Sequence, residues 1–348
     1  MISFESDYIE GCHPLILKRF IDTNLEQLSG YGADHYTAEA TAKIQDACCD
    51  PLAQVYFLVG GTQTNQIVLD TLLAPYEGIV APETGHIAVH EAGAIEFTGH
   101  KVLTLPSHEG KICPQELEDY CAMFYADGNH EHMVFPGVVF LTFPTELGTL
   151  YKKSELQEIR QIANKYGLRV YLDGARLGYG LMSEECDCTL ADIAALTDVF
   201  YIGGTKVGAL CGEAVVFTHQ NMPKYFATRV KQHGGMVAKG RLLSVQFDTL
   251  FTDDLYFEEA RHALKMAKKL KEGFEAKGYE MTYVSPTNQQ FTILTDEEVA
   301  LLHEKGFRFS FWENLPDGRT VYRFVTSWAT LESNLDALLE ALPEREQA

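Results

Sequence analysis

The sequence predicts an α/β protein: a mostly parallel, doubly wound sheet with helices on both faces, followed by a smaller C-terminal α+β domain. Short apolar runs alternate with helical segments between residues 55 and 217, which is the pattern of successive βαβ units. The pattern then changes to long helices over about 224–273 and ends in strands with two helices over 279–340. A chain of 348 residues can form two cores, and we expect domains at 1–245 and 246–348.

The predicted strands are apolar runs of three to five residues. Because most of their positions are apolar rather than alternating, the runs of the large domain are typical of strands buried on both faces. They are Val55–Val59, Gly78–Ala81, Val102–Leu105, Val138–Thr142, 169–172, 199–202 and Ala214–Phe217, and in the C-terminal domain Met281–Val284, Gln290–Leu294, Phe307–Phe309 and Val321–Val325.

Helices are predicted where apolar residues recur at intervals of three and four. Ser154 has the residue type of an N-cap for the helix that follows it. The predicted helices begin near Leu15 and His86, follow Asn65 as far as Leu73, and cover about Thr37–Cys49, Pro114–Tyr125, Ser154–Tyr166 and Ala191–Leu196.

The charge balance argues against nucleic-acid and membrane partners. The chain has 49 acidic and 28 basic residues, and its formal net charge of −21 repels phosphate backbones and anionic lipid surfaces. A small anionic ligand remains compatible with this charge, because a few arginines can dominate the field inside one pocket. We therefore expect a small-molecule partner.

The expected location is the cytoplasm. No apolar run is long enough to span a bilayer, and the first fifteen residues contain Glu5, Asp7 and Glu10 instead of the apolar segment of a secretory signal. The eight cysteines lack the spacing of a zinc finger or of a Cys-x-x-Cys redox pair, so we interpret them as buried apolar residues. We expect no bound metal.

Two predicted strands end in glycine and one charged residue. Asp173 follows the run that begins at Val170, and Lys206 follows the run that begins at Phe200. Ligands of open α/β sheets bind outside the carboxyl ends of the strands, so both side chains are expected to face one crevice. A buried lysine can become nucleophilic toward a carbonyl, and an aspartate can hold a protonated pyridine nitrogen. Taken singly, Asp173 also suits a strand-end cap and Lys206 a solvated loop.

A third strand runs into a glycine turn that opens a helix. The segment Gly60–Asn65 follows Val59, and helix N-termini of this kind offer free N–H groups to a phosphate. The segment lacks the Gly-Lys-Ser/Thr of a Walker loop and a G-x-G-x-x-G repeat. The lysine, the aspartate and this glycine turn together match the needs of pyridoxal 5'-phosphate. The cofactor requires an amine for its aldehyde, a partner for the ring nitrogen that makes the ring an electron sink, and an anchor for its phosphate.

Motifs spread over the whole chain carry a family resemblance. They are Gly60–Asn65, His86–Ala94, Leu172–Leu177, Thr205–Lys206 and Gly234–Met236. On these residues the chain resembles the threonine aldolase family, within the group of aromatic amino acid β-eliminating lyases and threonine aldolases. The resemblance implies the fold of the fold-type I pyridoxal-phosphate enzymes, with a seven-stranded sheet. It also implies a homotetramer, or a homodimer, with shared active sites.

The resemblance assigns roles around the cofactor. Lys206 is similar to the Schiff-base lysine of the family and Asp173 to the partner of the pyridinium nitrogen. Gly61 and Thr62 would bind the phosphate, and His86 would stack on the ring and take part in catalysis.

The resemblance also assigns roles to arginines. Arg176 would lie in the cofactor site and, with Arg323 and Ser6 of the N-terminal arm, hold the α-carboxylate of the substrate. Arg229 would reach a phosphate across a subunit interface.

The implied reaction is cleavage of the Cα–Cβ bond of a β-hydroxy amino acid, of the threonine or allo-threonine type, to glycine and an aldehyde. His86, His90 or Glu91, or a water that one of them holds, would take the β-hydroxyl proton. The family usually has Glu-Asn-x-His-Asn where this chain has Thr142–Glu146, so one family histidine is missing. A β-eliminating lyase acting on another amino acid is the alternative, and ammonia with a keto acid would identify it.

Two readings without this cofactor are also open. His86, His90 and Glu91 form H-x-x-x-H-E, whose two histidines would be one helical turn apart and would suit zinc in a metallohydrolase. The second reading is a non-catalytic protein that keeps the fold for binding. A visible absorption band that disappears in Lys206→Ala would exclude both.

Overall fold

The computed structural model describes residues 1–345. Its strands are β1 (Ile2–Ser3), β2 (Gln54–Leu58), β3 (Glu77–Pro82), β4 (Val102–Leu105), β5 (Phe135–Thr142), β6 (Arg169–Asp173), β7 (Val199–Gly203), β8 (Glu213–Phe217), β9 (Gln289–Leu294), β10 (Phe307–Arg308), β11 (Ser310–Asn314) and β12 (Thr320–Val325). Its α-helices are α1 (Pro14–Thr23), α2 (His35–Cys48), α3 (Gly61–Leu72), α4 (His86–Val89), α5 (Pro114–Ala126), α6 (Lys153–Tyr166), α7 (Leu177–Leu181), α8 (Leu190–Leu196), α9 (Phe226–Gln232), α10 (Arg241–Leu250), α11 (Leu255–Ala276), α12 (Asp296–Glu304) and α13 (Glu332–Ala341).

The central sheet has seven strands in the order β2-β8-β7-β6-β5-β3-β4. Only β8 runs against the others, since its pairings with β2 and β7 are antiparallel and the remaining pairings are parallel. The predicted fold is therefore confirmed. The carboxyl ends of β5, β6 and β7, which are neighbours, lie at the same edge of the sheet.

Both faces of the sheet are covered, which explains why its strands are apolar at nearly every position. Leu141 and Leu172 point into one core with α2, α6 and α8, and Phe140 and Tyr171 point into the other with α3 and α9. All four side chains are fully buried. The alternation of strand side chains places each successive residue in a different core.

The C-terminal part contains a three-stranded antiparallel sheet in the order β11-β12-β9. The N-terminal arm joins it, because β1 pairs in parallel with β10 and Phe4 packs in the core of this part. The first residues of the chain thus contact its last third. The division into domains at 1–245 and 246–348 stays a prediction.

Several local predictions are wrong. The helix α6 begins at Lys153 with Lys152 as its N-cap, because Glu155 accepts the Lys152 backbone N–H at 2.6 Å, so Ser154 lies inside the first turn. The segment 281–284 forms one isolated bridge, between Met281 and Thr292, and no strand. The strand β11 and the short helix α7 were not anticipated.

The helix at His86 is a further correction. It is a single turn that ends at Val89, so His90 and Glu91 lie in the loop after it. The left-handed conformations of Ala92 and Gly93 follow directly. Within the part of the chain that the structure describes, no helix has both the length and the apolar character needed to cross a membrane.

Candidate active site

A cavity of about 300 Å³ lies at the carboxyl edge of the central sheet. Asp173 is the last residue of β6, and Lys206 follows the neighbouring β7 in a glycine-containing turn. Both side chains line this cavity, together with Gly61, Thr62 and His86. With Arg176, which also lines the cavity, the fold therefore brings together six of the predicted site residues.

Three donors hold the carboxylate of Asp173, which is only 2% exposed. Its Oδ1 accepts from the Tyr201 hydroxyl at 2.5 Å and from the Ala175 N–H at 2.9 Å, and its Oδ2 accepts from Asn65 Nδ2 at 3.0 Å. These three bonds hold the carboxylate in one orientation on the cavity wall.

Asn65 connects Asp173 to a second buried carboxylate. Its Nδ2 also donates to Glu91 Oε1 at 2.7 Å, while its Oδ1 accepts from the Tyr171 hydroxyl at 2.7 Å. Glu91 Oε1 lies 2.7 Å from Nδ1 of His86. This chain of contacts fixes the orientation of the His86 ring.

The charge state of His86 follows from these neighbours. Burial lowers the pKa of His86, but the hydrogen bond to Glu91 and the charge of Asp173 outweigh it, so the net shift is upward. Protonated His86 is therefore favoured beside the two carboxylates. Its ring remains part of the cavity wall.

Lys206 is half-buried, and its ammonium has no hydrogen-bond or ion-pair partner within residues 1–345. The nitrogen lies 5.9 Å from the centroid of the Tyr8 ring. Burial, and then the charge of Arg176, lower the pKa of Lys206 below its ordinary value. A lysine in this state loses its proton more readily and becomes a better nucleophile.

The turn that carries Lys206 is held by a buried glutamate, Glu213. This carboxylate accepts from the Thr205 hydroxyl at 2.9 Å and from the Gly204 N–H at 3.1 Å. Burial raises the pKa of Glu213. Its side chain lines the cavity on the side of β8, which pairs with β7.

The glycine turn after β2 forms the start of α3. Gly60 caps this helix without a side-chain hydrogen bond, so the first N–H groups have no side-chain cap. Gly61 faces the Tyr201 hydroxyl, which a Cβ at this position would approach to 3.1 Å. Gly61 and Thr62 line the cavity, and a phosphate there would meet the positive end of a helix dipole.

On the opposite wall, Arg176 pairs with Asp7 of the N-terminal arm. Its Nε and Nη2 donate to the two carboxylate oxygens at 2.7 and 3.0 Å, and Asn288 donates to Asp7 at 2.9 Å. Burial opposes ionisation of Asp7, but Arg176 and Lys206 together hold its pKa below the ordinary value. Only the remaining N–H groups of Arg176 are left for a ligand.

Arg323 is a half-buried arginine next to the cavity, outside its lining. It donates to Gln289 Oε1 at 3.1 Å and to the Glu5 carbonyl at 3.3 Å, and its guanidinium lies over the Trp312 ring. No carboxylate pairs with it among the described residues. Burial, and then the Arg176 charge, lower its pKa to about 10, so it is a cation at neutral pH. Ser6 lies beside Asp7 in the same arm.

Four of the predicted residues, Ser6, His90, Arg229 and Arg323, are outside the lining of the cavity. Arg229 forms an ion pair with Asp70 and lies outside the lining. His86 and His90 have ring centroids 5.8 Å apart, and residues 1–345 contain no cluster of three side chains suited to a metal ion. Within these residues, the structure therefore offers no third ligand for the zinc site that His86 and His90 would begin.

Comparison with known proteins shows the family. The model of a family described as beta-eliminating lyase matches residues 4–297, which is most of the chain. The chain belongs to the β-eliminating lyase family. It is 31% identical over 96% of its length to the low specificity L-threonine aldolase of a Pseudomonas species, of which it covers 95%. A solved structure of threonine aldolase from Leishmania major shares 42% identity, covers 98% of both chains and superposes with a TM-score of 0.93.

A further relative is the low specificity L-threonine aldolase of Pseudomonas aeruginosa. The identity is 30% over 94% of this chain and 93% of that protein. As a member of the β-eliminating lyase family, this chain is a pyridoxal-phosphate-dependent lyase.

The cavity fits the cofactor of these lyases. Four buried atoms in or next to its lining have no hydrogen-bond partner in residues 1–345, and a bound ligand is one way to complete such groups. They are Ser6 Oγ, Glu91 Oε2, Glu146 Oε2 and Arg323 Nε. The fixed charge of Asp173, the amine of Lys206 and the helix start at Gly61 suit the ring nitrogen, the aldehyde and the phosphate, respectively.

The sequence analysis missed several residues of the site. Asp7 pairs with Arg176, Tyr201 and Asn65 bond Asp173, and Glu213 holds the lysine turn. One of these had a signal in the sequence, because Glu213 is a charged residue immediately before an apolar strand run. Tyr201 had none, since tyrosine is common in buried strands.

Proposed function

We propose that this lyase cleaves the Cα–Cβ bond of a β-hydroxy amino acid, of the threonine or allo-threonine type, to glycine and an aldehyde. The observation that carries the proposal is a single cavity lined by Lys206, Asp173 and Arg176, with Arg323, an arginine without a carboxylate partner in residues 1–345, next to Arg176 outside the lining. Likeness to threonine aldolases over almost the whole chain supports this choice of substrate.

In this proposal, five residues hold the cofactor: Lys206 takes the aldehyde, Asp173 the ring nitrogen, Gly61 and Thr62 the phosphate, and His86 one ring face. Bound there, pyridoxal phosphate supplies an electron sink for the bond that breaks at Cα. Lys206 suits its role because its pKa, lowered to about 8, makes the neutral amine more available at neutral pH than in an ordinary lysine. Asp173 suits its role because three donors stabilise its negative charge.

Arg323, Ser6 and Arg176 hold the substrate α-carboxylate. Arg323 is the main anchor, because Arg176 already binds Asp7 through two nitrogens. The partnerless Ser6 Oγ and Arg323 Nε are donors that an added carboxylate would satisfy. By fixing the carboxylate, these residues decide which bond at Cα is aligned with the electron sink.

Cleavage also requires a group that takes the proton from the β-hydroxyl. His90 is exposed, and burial together with the charges of His86 and Arg323 lowers its pKa, which keeps it neutral and able to accept a proton. His86 and Glu91 are bonded to each other and better suited to hold the ring in place. Water positioned by one of them is a further route.

We infer a second copy of this chain as the protein partner, in a homodimer or homotetramer. The outer face of α1 and the segment after it expose Leu17, Ile21, Leu25 and Tyr31, with Ile21 69% exposed. A large exposed apolar surface of this kind suits an interface. Arg229 would leave Asp70 to reach a phosphate of the partner copy. The cytoplasmic location stays a prediction.

The test is product analysis with a panel of β-hydroxy amino acids and the purified, pyridoxal-phosphate-loaded protein. We expect equal amounts of glycine and the matching aldehyde from threonine or allo-threonine. Ammonia with a keto acid would instead identify a β-elimination and overturn the proposal. Light scattering of the same sample measures the number of copies.

A further inference from the structure

Glu146 is a buried carboxylate in the cavity to which the proposed chemistry gives no role so far. It lies in the loop that follows β5, between β5 and α6, and is 9% exposed. Its side chain lines the cavity together with Thr142, His86 and Asp173. The loop is anchored to β9, because the Gln289 amide donates to the Glu146 carbonyl at 3.3 Å.

Both donors of this carboxylate act on one oxygen. The His86 backbone N–H donates to Oε1 at 2.7 Å, and the Thr142 hydroxyl donates to the same atom at 2.9 Å. The other oxygen, Oε2, is buried and has no partner in residues 1–345. An amide oxygen would accept the two bonds equally well, so holding the loop does not require a carboxylate.

A carboxylate at this place is costly, since no cation pairs with it among the described residues. Burial raises the pKa of Glu146, and the charge of Asp173 adds to the increase. The titratable groups near it are Asp173 on β6, His86 on α4 and the buried Tyr151 after the loop. A raised carboxyl pKa lies nearer to neutrality, where a general base is most effective.

The other carboxylates of the lining are committed to different contacts. Asp173 is held by three donors, Glu91 binds His86 and Asn65, and Glu213 holds the lysine turn through both oxygens. Glu91 also has an oxygen without a partner in residues 1–345, but its other oxygen is hydrogen-bonded to His86, whose raised pKa favours the protonated ring. Glu146 is the lining carboxylate with a spare oxygen and no neighbouring cationic partner.

We propose that Glu146, which lines the cavity, and not His90, which is outside the lining, is the catalytic base that accepts the β-hydroxyl proton of the substrate, at Oε2. This inference rests on the proposed function, because only cleavage of a β-hydroxy amino acid requires that proton transfer. The bonds from His86 and Thr142 to Oε1 hold the carboxylate in one orientation and leave Oε2 for the substrate.

The step balances without another reactant. The β-hydroxyl proton passes to Oε2, the O–H electron pair becomes the second bond of the aldehyde carbonyl, and the Cα–Cβ bond breaks. The glycine fragment keeps the electron pair of the broken bond and takes one proton at Cα. One proton leaves oxygen and one is added to carbon, so glycine and aldehyde together contain all atoms of the substrate.

The decisive variant is Glu146→Gln, which keeps both hydrogen bonds to Oε1. We expect threonine cleavage to fall by about 10²- to 10⁴-fold, the range for loss of a general base. Exchange of the glycine Cα hydrogen with deuterated water uses the same site but involves no β-hydroxyl, so we expect it to stay within about threefold of wild type. Glycine binding and the cofactor absorption spectrum should not change.

The control is Glu83→Gln, an exposed glutamate near the same edge of the sheet whose side chain, within residues 1–345, accepts only from the Ser107 N–H. We expect wild-type values for it in every assay. Equal loss of cleavage and exchange in Glu146→Gln, or unreduced cleavage, would overturn the inference. If wild-type protein exchanges glycine but cleaves no β-hydroxy amino acid, the proposed function itself fails.

Two further measurements test the inference even if Glu146→Gln folds poorly. The rate of wild-type cleavage should fall as pH falls through the raised pKa of Glu146, since a base must be deprotonated. This acid limb should move to a different pH in Glu146→Asp, and an unchanged acid limb in that variant would contradict the inference. Formate, but not chloride at equal ionic strength, should restore cleavage in Glu146→Ala by supplying a carboxylate. Absence of rescue in a folded Glu146→Ala variant would contradict the inference.

Discussion

The two walls of the cavity differ in how their charges are paired. On the wall built from β6, α3 and the loop after α4, Asp173 has three donors and Asn65 uses both of its polar atoms. On the opposite wall, formed by Tyr8 of the N-terminal arm and Arg176, the neighbouring Arg323 of β12 has no carboxylate partner in residues 1–345, and the Oγ of Ser6 in the arm has no partner there.

The difference separates a preorganised wall from an incomplete one. A buried polar network whose members are all bonded is rigid and specifies one geometry. A buried cation without a partner is costly unless a ligand anion completes it. We interpret the first wall as the cofactor side and the second as the substrate side, where the amino acid itself supplies the missing charge.

The largest expected effect is that of Lys206→Ala, at the end of β7 beside the preorganised wall. Because Lys206 provides the amine and has no hydrogen-bond partner through its side chain, we expect loss of turnover and of the visible cofactor band, with the unfolding transition unchanged. Absorption spectroscopy measures the cofactor band, steady-state kinetics measures turnover, and urea denaturation measures the unfolding transition. Lys224→Ala, at an exposed lysine, is the control, and full turnover in Lys206→Ala would remove the assigned role.

The next largest effect is on the free energy of unfolding and concerns the Asp7–Arg176 ion pair on the substrate side. Asp7→Asn leaves Arg176 as a buried cation, and we expect a loss of about 3–5 kcal/mol in the free energy of unfolding at neutral pH. Asp22→Asn breaks only the exposed pair with Lys18 and should cost about 1 kcal/mol or less. Urea unfolding of both variants makes the comparison.

The sign of the pH dependence follows from the depressed pKa of Asp7. The Asp7 carboxylate contributes its full stabilisation above the ordinary value of 3.8, and this is lost as pH falls through the lower folded-state value. The stability difference between wild type and Asp7→Asn should therefore shrink below about pH 4. A difference that persists in acid would show that packing, and not the ion pair, is responsible.

Asp173→Asn tests the charge of the preorganised wall. We expect turnover to fall by about 10²- to 10³-fold, as for loss of one preorganised electrostatic partner. The substitution keeps the size of the side chain and can keep the bonds from Tyr201 and Ala175, so the fold should be preserved. Steady-state kinetics of the variant and the wild type measure this fall in turnover. An unchanged turnover would exclude Asp173 as the partner of the ring nitrogen.

Arg323→Ala tests the incomplete wall and has the smallest expected effect on turnover. Loss of one charged hydrogen-bonding partner of about 1.5–3 kcal/mol should raise the KM for the amino acid by about 10- to 100-fold. The matched control is Arg319→Ala, immediately before β12. This exposed arginine pairs with Asp317 and Glu280, and none of the three lines the cavity. An unaltered KM in Arg323→Ala would remove it from the substrate site.

Short-range patterns were enough for the elements of the large sheet. The runs ending at Asp173 and before Lys206 are apolar throughout because both sheet faces are covered, and that signal is local. The rule that ligands lie at the carboxyl ends of parallel strands then placed both residues in one cavity. The predicted cap at Ser154 failed because the actual start depends on which backbone N–H Glu155 reaches.

The sequence by itself determined the order of strands and helices and the identity of the residues at the strand ends, because apolar periodicity and strand-end glycines are properties of neighbouring residues. Only the tertiary structure decided which charges meet. Asp7 pairs with Arg176 and the Glu5 carbonyl accepts from Arg323 across most of the chain, and the spare oxygen of Glu146 exists because two donors from different elements converge on the other one. Pairing of this kind depends on distances in space, for which spacing along the chain carries no signal.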